Sequence, residues 1–194
     1  MIHSHILYRK AIPADLEGIL LLQHENLMTN LQGEDLSQGF LSIEFTREQI
    51  RKINGELGIF VAVQDKRVIG YLMTETVEFA VQSPLIAHML KRLKDVVFDD
   101  HPISSYSLFI YGPVCIDRRS RGKGVLEGLF KVMLKALKGR YDVGVAFVSE
   151  LNLRSLHAHQ HKLGMTVVDE FEFNGQTYWT LVFGLKQKVR ERKK

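Results

Sequence analysis

The segment Ile116–Val125 joins two regular elements through a short, basic turn that contains two glycines. Residues 107–116 before it are rich in β-branched and aromatic side chains, which favours a strand. From Val125 to Leu137 apolar residues recur at steps of three and four, which predicts an amphipathic helix that ends near Gly139. The first N–H groups of this helix, which have no partner inside it, therefore fall at the turn.

The turn has the properties of an anion site. The helix dipole adds partial positive charge at its first turn, and Gly122 and Gly124 have no Cβ to keep a ligand away from the backbone. Four cationic side chains add donors: Arg118, Arg119, Arg121 and Lys123. We expect a phosphate or pyrophosphate to bind here, and the glycine spacing leaves a solvated basic turn as the alternative.

Two common nucleotide-binding signatures are excluded. A Walker loop needs Ser or Thr after its lysine, whereas Lys123 is followed by Gly124. The dinucleotide fingerprint needs a third glycine where this chain has Glu127.

The pattern Arg119-x-x-Gly122-x-Gly124 resembles the signature with which the Gcn5-related N-acetyltransferases (the GNAT superfamily) grip the pyrophosphate of acetyl-CoA. The resemblance implies a cofactor-binding turn in this chain. Its residues would be Arg119, Arg121, Gly122, Lys123, Gly124 and Val125.

A Gly112-Pro113 pair interrupts the strand predicted over 106–117. Proline cannot donate a ladder hydrogen bond, so we expect the strand to bulge or to part from its neighbour there. In the family that the turn resembles, the fourth strand splays from the fifth and the pantetheine arm of coenzyme A bonds the freed backbone. The resemblance assigns that role to Val114, Cys115 and Ile116.

A second segment, residues 152–165, is similar to the family's Asn-x-x-Ser/Ala…Tyr region beside the cofactor. Asn152 and Ser155 match, which implies that they bind the cofactor. His159 stands at the spacing of the usual tyrosine, with one extra residue before Gly164. The resemblance makes His159 the catalytic proton donor to the departing thiolate, and a surface histidine is the alternative.

Three carboxylates could act as the base that accepts the amine proton, and the sequence does not choose among them: Glu44, Glu75 and Glu78. Two groups suggest a metal at first sight, namely His157 with His161 and the run Asp99-Asp100-His101. Neither shows a second set of ligands or a metalloprotease pattern, so we predict no metal.

The composition is that of an ordinary globular protein, and 194 residues are enough for one domain with a real core. The single cysteine, Cys115, excludes an internal disulfide, and its apolar strand predicts a buried thiol rather than a nucleophile. The chain has neither an apolar run of ~18 residues nor a signal-peptide pattern at its start. We therefore expect a soluble, cytoplasmic protein without a membrane partner.

The net charge of +4 resides largely in the tail 186–194, which has six cationic residues and one acidic residue. The rest is close to neutral, so the charge does not argue for a nucleic-acid partner. A nucleic-acid arm and a solvated, frayed terminus are the two interpretations of the tail.

The order of predicted elements matches the family over most of the chain. We predict a GNAT-type acyl-CoA N-acyltransferase α/β fold, with a mixed, mostly antiparallel sheet whose fourth and fifth strands splay apart. Residues 1–185 would form this domain, with an inserted helix at 84–98 that packs on the sheet or on a second subunit, and 186–194 the basic tail.

The resemblance implies an acetyl-CoA-dependent N-acetyltransferase that acts by direct attack of a primary amine in a ternary complex. The acceptor would be a small-molecule or peptide amine, and the family often forms homodimers. A coenzyme-A-binding sensor or partner-binding domain without catalysis is the alternative.

Overall fold

A computed structural model of the chain describes residues 5–31 and 39–185. The tail expected at 186–194 lies outside this range, and so do residues 32–38 of the segment 31–45, whose poor periodicity predicts a loop. The chain forms two compact units, which we call the first unit (Met1–Thr74 with Gly112–Ala136) and the second unit (Glu75–Tyr111 with Leu137–Lys194). The assignment of residues 1–185 to one acetyltransferase domain stays a prediction.

Most strands belong to one seven-stranded sheet of order β1-β2-β3-β6-β7-β9-β8, and β4 and β5 form a separate pair. The pairings β1–β2, β2–β3, β7–β9 and β8–β9 are antiparallel, and β6–β7 is parallel. The strands are β1 (Leu7–Lys10), β2 (Gly58–Gln64), β3 (Arg67–Glu75), β4 (Val97–Phe98), β5 (His101–Pro102), β6 (Leu108–Ile116), β7 (Val143–Ser149), β8 (Thr166–Phe173) and β9 (Gln176–Gly184). The predicted mixed, mostly antiparallel sheet is confirmed.

The parallel ladder between β6 and β7 is short. It joins Leu108–Ile110 to Val143–Val145 and ends there, although β6 runs on to Ile116 and β7 to Ser149. Gly112 has φ of 108°, a left-handed value that suits glycine, and Pro113 has no N–H to donate. The Gly-Pro pair thus lies just past the last ladder pair, as the sequence predicted for a splayed strand.

Six α-helices lie in the described part of the chain: α1 (Leu16–Asn26), α2 (Arg47–Glu56), α3 (Val77–Ala80), α4 (Pro84–Arg92), α5 (Val125–Leu137) and α6 (Leu153–Leu163). Their ends follow the capping residues in the sequence. Thr46 and Gln49 form a reciprocal capping box at the start of α2, and Gly164 ends α6 with φ of 71°. Within the described residues, no helix has the length and apolar character needed to cross a bilayer.

The first unit has a core between its strands and helices. Ile53 of α2 and Phe60 and Val61 of β2 are fully buried, and so are Tyr71 of β3 and Leu129 of α5. Among them, Leu129 belongs to α5, the helix that follows the glycine turn, so its burial helps to fix the position of that helix.

In the second unit, α4 packs on the sheet, one of the two expected locations for an inserted helix. Its Ile86 and Met89 join a buried cluster with Ile110, Val145 and Val182. Arg92 at its end donates to both carboxylate oxygens of Asp169 on β8, over 2.7 and 3.0 Å.

The helix predicted over 84–98 is too long. α4 ends at Arg92, a 3-10 turn follows over Leu93–Asp95, and Val97–Phe98 form a strand. Asp99 and Asp100 adopt left-handed φ values of 52° and 68° and turn that strand back on itself. Acidic residues tolerate this conformation, so the hairpin replaces the last helical turn.

Candidate functional site

The glycine turn lies in the first unit and is built by local hydrogen bonds. Asp117, directly after β6, accepts from the Arg119 N–H through its side chain and from the Ser120 N–H through its carbonyl, each over 2.9 Å. Gly122 and Gly124 then take φ values of 76° and 84°. α5 begins at Val125, so its first N–H groups belong to the turn, as predicted.

The backbone at the two glycines is open. A Cβ added at Gly122 or at Gly124 would meet no atom within 4 Å. By contrast, a Cβ at Gly128, one turn into α5, would lie 2.3 Å from the Tyr8 ring. Gly128 therefore serves packing, whereas Gly122 and Gly124 provide the turn with its conformation and with access for a ligand.

The basic side chains of the turn differ in exposure and in hydrogen bonding. Arg119 and Lys123 are exposed. Arg121 is half-buried, and its guanidinium donates to the Ile116 carbonyl over 3.0 Å and to Asn26 Oδ1 over 2.8 Å. It thus ties the end of β6 to α1, a structural contact that the sequence did not suggest for a predicted cofactor residue.

Val114, Cys115 and Ile116 lie on β6 beyond the last ladder pair with β7. Cys115 is 3% exposed, and its Sγ donates to the Leu22 carbonyl over 3.5 Å. Burial raises the pKa of the Cys115 thiol to about 12. A thiol with so high a pKa is a poor nucleophile at neutral pH, in agreement with the buried structural role predicted for it.

Asn152, Ser155 and His159 lie together along α6 in the second unit. Asn152 caps the helix, since its Oδ1 accepts the Ser155 N–H over 3.3 Å. The Ser155 carbonyl lies 2.7 Å from His159 Nδ1. Asn152 and Ser155 therefore have clear structural roles, beside the cofactor contacts predicted for them.

His159 is 7% exposed, which excludes a surface histidine. Its Nε2 lies 3.2 Å from the Tyr111 hydroxyl, and the two rings meet edge to face with centroids 5.5 Å apart. Burial lowers the pKa of His159, and the hydrogen bond to the Ser155 carbonyl opposes this shift only in part. His159 is therefore mostly neutral at pH near 7, a state unsuited to the proton donor predicted from the family tyrosine.

Tyr111 is a residue that sequence reasoning missed. It lies on β6, is 4% exposed, and burial raises its pKa well above the ordinary value for tyrosine. Its position directly before Gly112-Pro113 was the available signal. Among the three carboxylates considered as the base, Glu44 and Glu78 are exposed and Glu75 at the end of β3 is buried.

The two groups weighed as metal ligands have separate explanations. Asp99 and Asp100 form the β4–β5 turn, and His101 Nδ1 lies 3.0 Å from the Asp99 carbonyl. The His157 and His161 rings are 4.2 Å apart on α6. In the described residues, no group of three or more His, Cys, Asp or Glu side chains is arranged to hold a metal.

No family model and no curated relative matches this sequence. Solved structures do match its fold. An acetyltransferase of the GNAT family from Streptococcus agalactiae is 17% identical, with a TM-score of 0.60 and 96% of each chain covered. The chain has the fold of the GNAT acetyltransferases.

Two further structures with a similar fold were solved with ligands. The yncA protein of Salmonella typhimurium, solved with its cofactor acetyl-CoA, is 16% identical with a TM-score of 0.58, and the match covers 95% of this chain and 96% of that one. A chain of the NatC complex bound to Gag peptide and CoA is 14% identical with a TM-score of 0.60, and the match covers 93% and 98%.

Proposed function

We propose that this chain is an N-acetyltransferase that transfers an acetyl group from acetyl-CoA to a primary amine by direct attack in a ternary complex. One observation carries the proposal: an open, two-glycine helix start directly follows a strand that has left its parallel ladder. The GNAT fold and the neighbours solved with acetyl-CoA or CoA support it.

The turn would hold the diphosphate of acetyl-CoA. Backbone N–H groups between Arg119 and Val125 are the proposed donors, and the space above Gly122 and Gly124 admits the phosphate oxygens. Exposed Arg119 and Lys123 would add charge to this grip. Arg121 would act indirectly, by fixing the turn against Asn26.

The backbone of Val114, Cys115 and Ile116 would bind the pantetheine arm. The ladder with β7 ends at Ile110, before these residues, so the arm could bond them as an added strand would. A backbone N–H in this segment would stabilise negative charge on the acetyl oxygen. When bound, acetyl-CoA supplies the activated acetyl thioester.

Direct attack, rather than an acetyl-enzyme, fits the state of the only thiol. Cys115 is buried and holds its proton, so it is not prepared to accept the acetyl group. The protein's contribution would then be mainly to position the amine and the thioester.

The acceptor that we propose is the primary amine of a small molecule or of a peptide. The NatC neighbour was solved with a peptide, which makes peptide amines a natural part of any acceptor panel. Residues 114–116 and the turn would serve either acceptor, because their proposed contacts are with acetyl-CoA.

Two measurements test the proposal. Isothermal titration should detect binding of acetyl-CoA, and mixing the protein with acetyl-CoA and a panel of amines and peptide N-termini should release free thiol. Binding without release for every amine would favour the alternative of a coenzyme-A sensor. An absence of heat on titration would contradict both.

A further inference from the structure

His157 and His161 form a pair of exposed imidazoles on α6 that the proposed function does not use. The two residues are four apart in the sequence, so they project from the same face of the helix, one turn apart. Their ring centroids are 4.2 Å apart and their planes are tilted by 44°. Both residues belong to the second unit, and the pair lies entirely within one helix.

This spacing fits a metal ion held by both rings. Zinc–imidazole bonds are about 2.0–2.1 Å long, so a tetrahedral angle at the ion places the two ligating nitrogens roughly 3.3 Å apart. Rings whose centroids are 4.2 Å apart can bring one nitrogen each to that separation by small side-chain rotations. Two histidines at the same spacing on a helix are also the zinc ligands of the metalloprotease motif.

The third histidine of α6 takes no part in the pair. His159 lies two residues from each of the others, which turns it toward the opposite side of the helix. It is buried, with its Nδ1 2.7 Å from the Ser155 carbonyl. Position 158 is Ala158, where metalloproteases have the glutamate that activates water. The pair therefore offers ligands for an ion without hydrolytic chemistry.

We propose that His157 and His161 bind one exchangeable Zn²⁺ ion per chain, with water in the remaining coordination positions. The sequence prediction of no metal rested on the lack of a second ligand set, which an exchangeable ion does not need. Imidazole suits zinc, copper and nickel, whereas Mg²⁺ and Ca²⁺ prefer oxygen ligands. Arg154 stands three residues before His157 on the same side of α6, and its charge limits the affinity.

The ion should hold consecutive turns of α6 together. Only the folded helix brings the two imidazoles close, so zinc binds the folded state more tightly and stabilises it. α6 begins at the Asn152 cap and carries Ser155 and His159 on another face. The pair thus gives zinc a means of stabilising the second unit, and this effect does not depend on the proposed acetyltransferase.

Calorimetric titration of the folded protein with ZnCl₂ alone tests the proposal. The wild type should bind one equivalent, and His157→Gln or His161→Gln should weaken binding by about tenfold or more, because one ring no longer chelates. The matched control is His24→Gln, which removes an exposed histidine of α1 that has no histidine four residues away on either side. This variant should bind zinc as the wild type does.

Two further measurements locate the ion. The imidazole NMR signals of His157 and His161 should shift on addition of zinc, whereas those of His159 should not. Saturating zinc should raise the midpoint of thermal unfolding of the wild type and not that of His161→Gln. A wild type that takes up no zinc, or Gln variants at 157 and 161 that bind it as tightly as the wild type, would overturn the proposal. None of these readouts uses acetyl-CoA or thiol release, so failure here is distinct from failure of the proposed function.

Discussion

Arg121 and Asn26 are joined by a hydrogen bond of 2.8 Å, from the guanidinium to the side-chain amide oxygen. Asn26 is 3% exposed at the end of α1, and its own amide nitrogen donates to the Leu22 carbonyl over 2.8 Å. Arg121, one of the four cationic side chains of the glycine turn, thus connects this turn to a helix.

Arg121→Met should therefore lower the free energy of unfolding by roughly 1–3 kcal/mol, since it leaves the buried Asn26 oxygen without this donor. Urea denaturation measures this. Arg119→Met is the matched control, because Arg119 is exposed and its substitution should change stability by no more than about 0.5 kcal/mol. Arg119→Met should nevertheless weaken acetyl-CoA binding, and equal stability losses for both variants would refute this division of roles.

Gly124→Ala should raise the Michaelis constant for acetyl-CoA, because a methyl group would occupy the space above the turn. The substitution also strains a residue with φ of 84°, at roughly 1–2 kcal/mol. Gly175→Ala carries the same strain at φ of 75° in the β8–β9 turn, with open space around it. If Gly175→Ala raised the constant as much, lost stability and not blocked access would be the cause.

Gly144→Ala should destabilise the second unit. A Cβ on this β7 residue would lie 2.2 Å from the Phe183 ring and 2.9 Å from the Phe109 ring, and both rings are fully buried. We expect a loss of about 1–3 kcal/mol in thermal or urea unfolding. Gly55→Ala in α2, with nothing within 4 Å, should instead stabilise by roughly 0.5–1 kcal/mol.

The ionisation of Asp15 should make the free energy of unfolding depend on pH in the acidic range. Burial by itself would raise its pKa, but hydrogen bonds from Arg9 and the Ile12 N–H, with the Arg9 charge, lower it below the ordinary 3.8. When the pKa of a carboxylate is lower in the folded than in the unfolded protein, its ionised form stabilises the fold. This stabilisation is fully present at pH values above the unfolded pKa, and it is lost as the pH falls through the folded pKa.

Asp15→Asn should accordingly reduce the free energy of unfolding by roughly 1–3 kcal/mol near neutral pH. The difference from wild type should shrink below pH 3.8. Urea denaturation at both pH values measures it, and a difference that stays constant would show that the Arg9–Asp15 pair does not stabilise the fold.

The glycine turn, the split strand and the cap of α6 could be predicted because each depends on local chemistry. Gly122 and Gly124 have the positive φ that only glycine adopts freely, Pro113 lacks a donor, and Asn152 caps its own helix. Such signals need no knowledge of the tertiary structure.

Other features could not be read from the sequence because they depend on partners far along the chain. Arg121 and Asn26 are 95 residues apart, and Tyr111 and His159 are 48 apart. The apolar pattern of residues 68–79 predicts one continuous strand, but β3 ends at Glu75, and Thr76 caps a short helix that follows it. Spacing alone therefore named His159 but not its neighbour, nor the state of its ring.

The burial of Cys115 has a practical consequence for the assays. Colorimetric reagents that react with thiols count coenzyme A as it is released, and a reactive protein thiol would add a background. Because its sole cysteine is buried and bonded to the Leu22 carbonyl, the native protein should not react with such reagents, and unfolding in denaturant should reveal one equivalent of thiol.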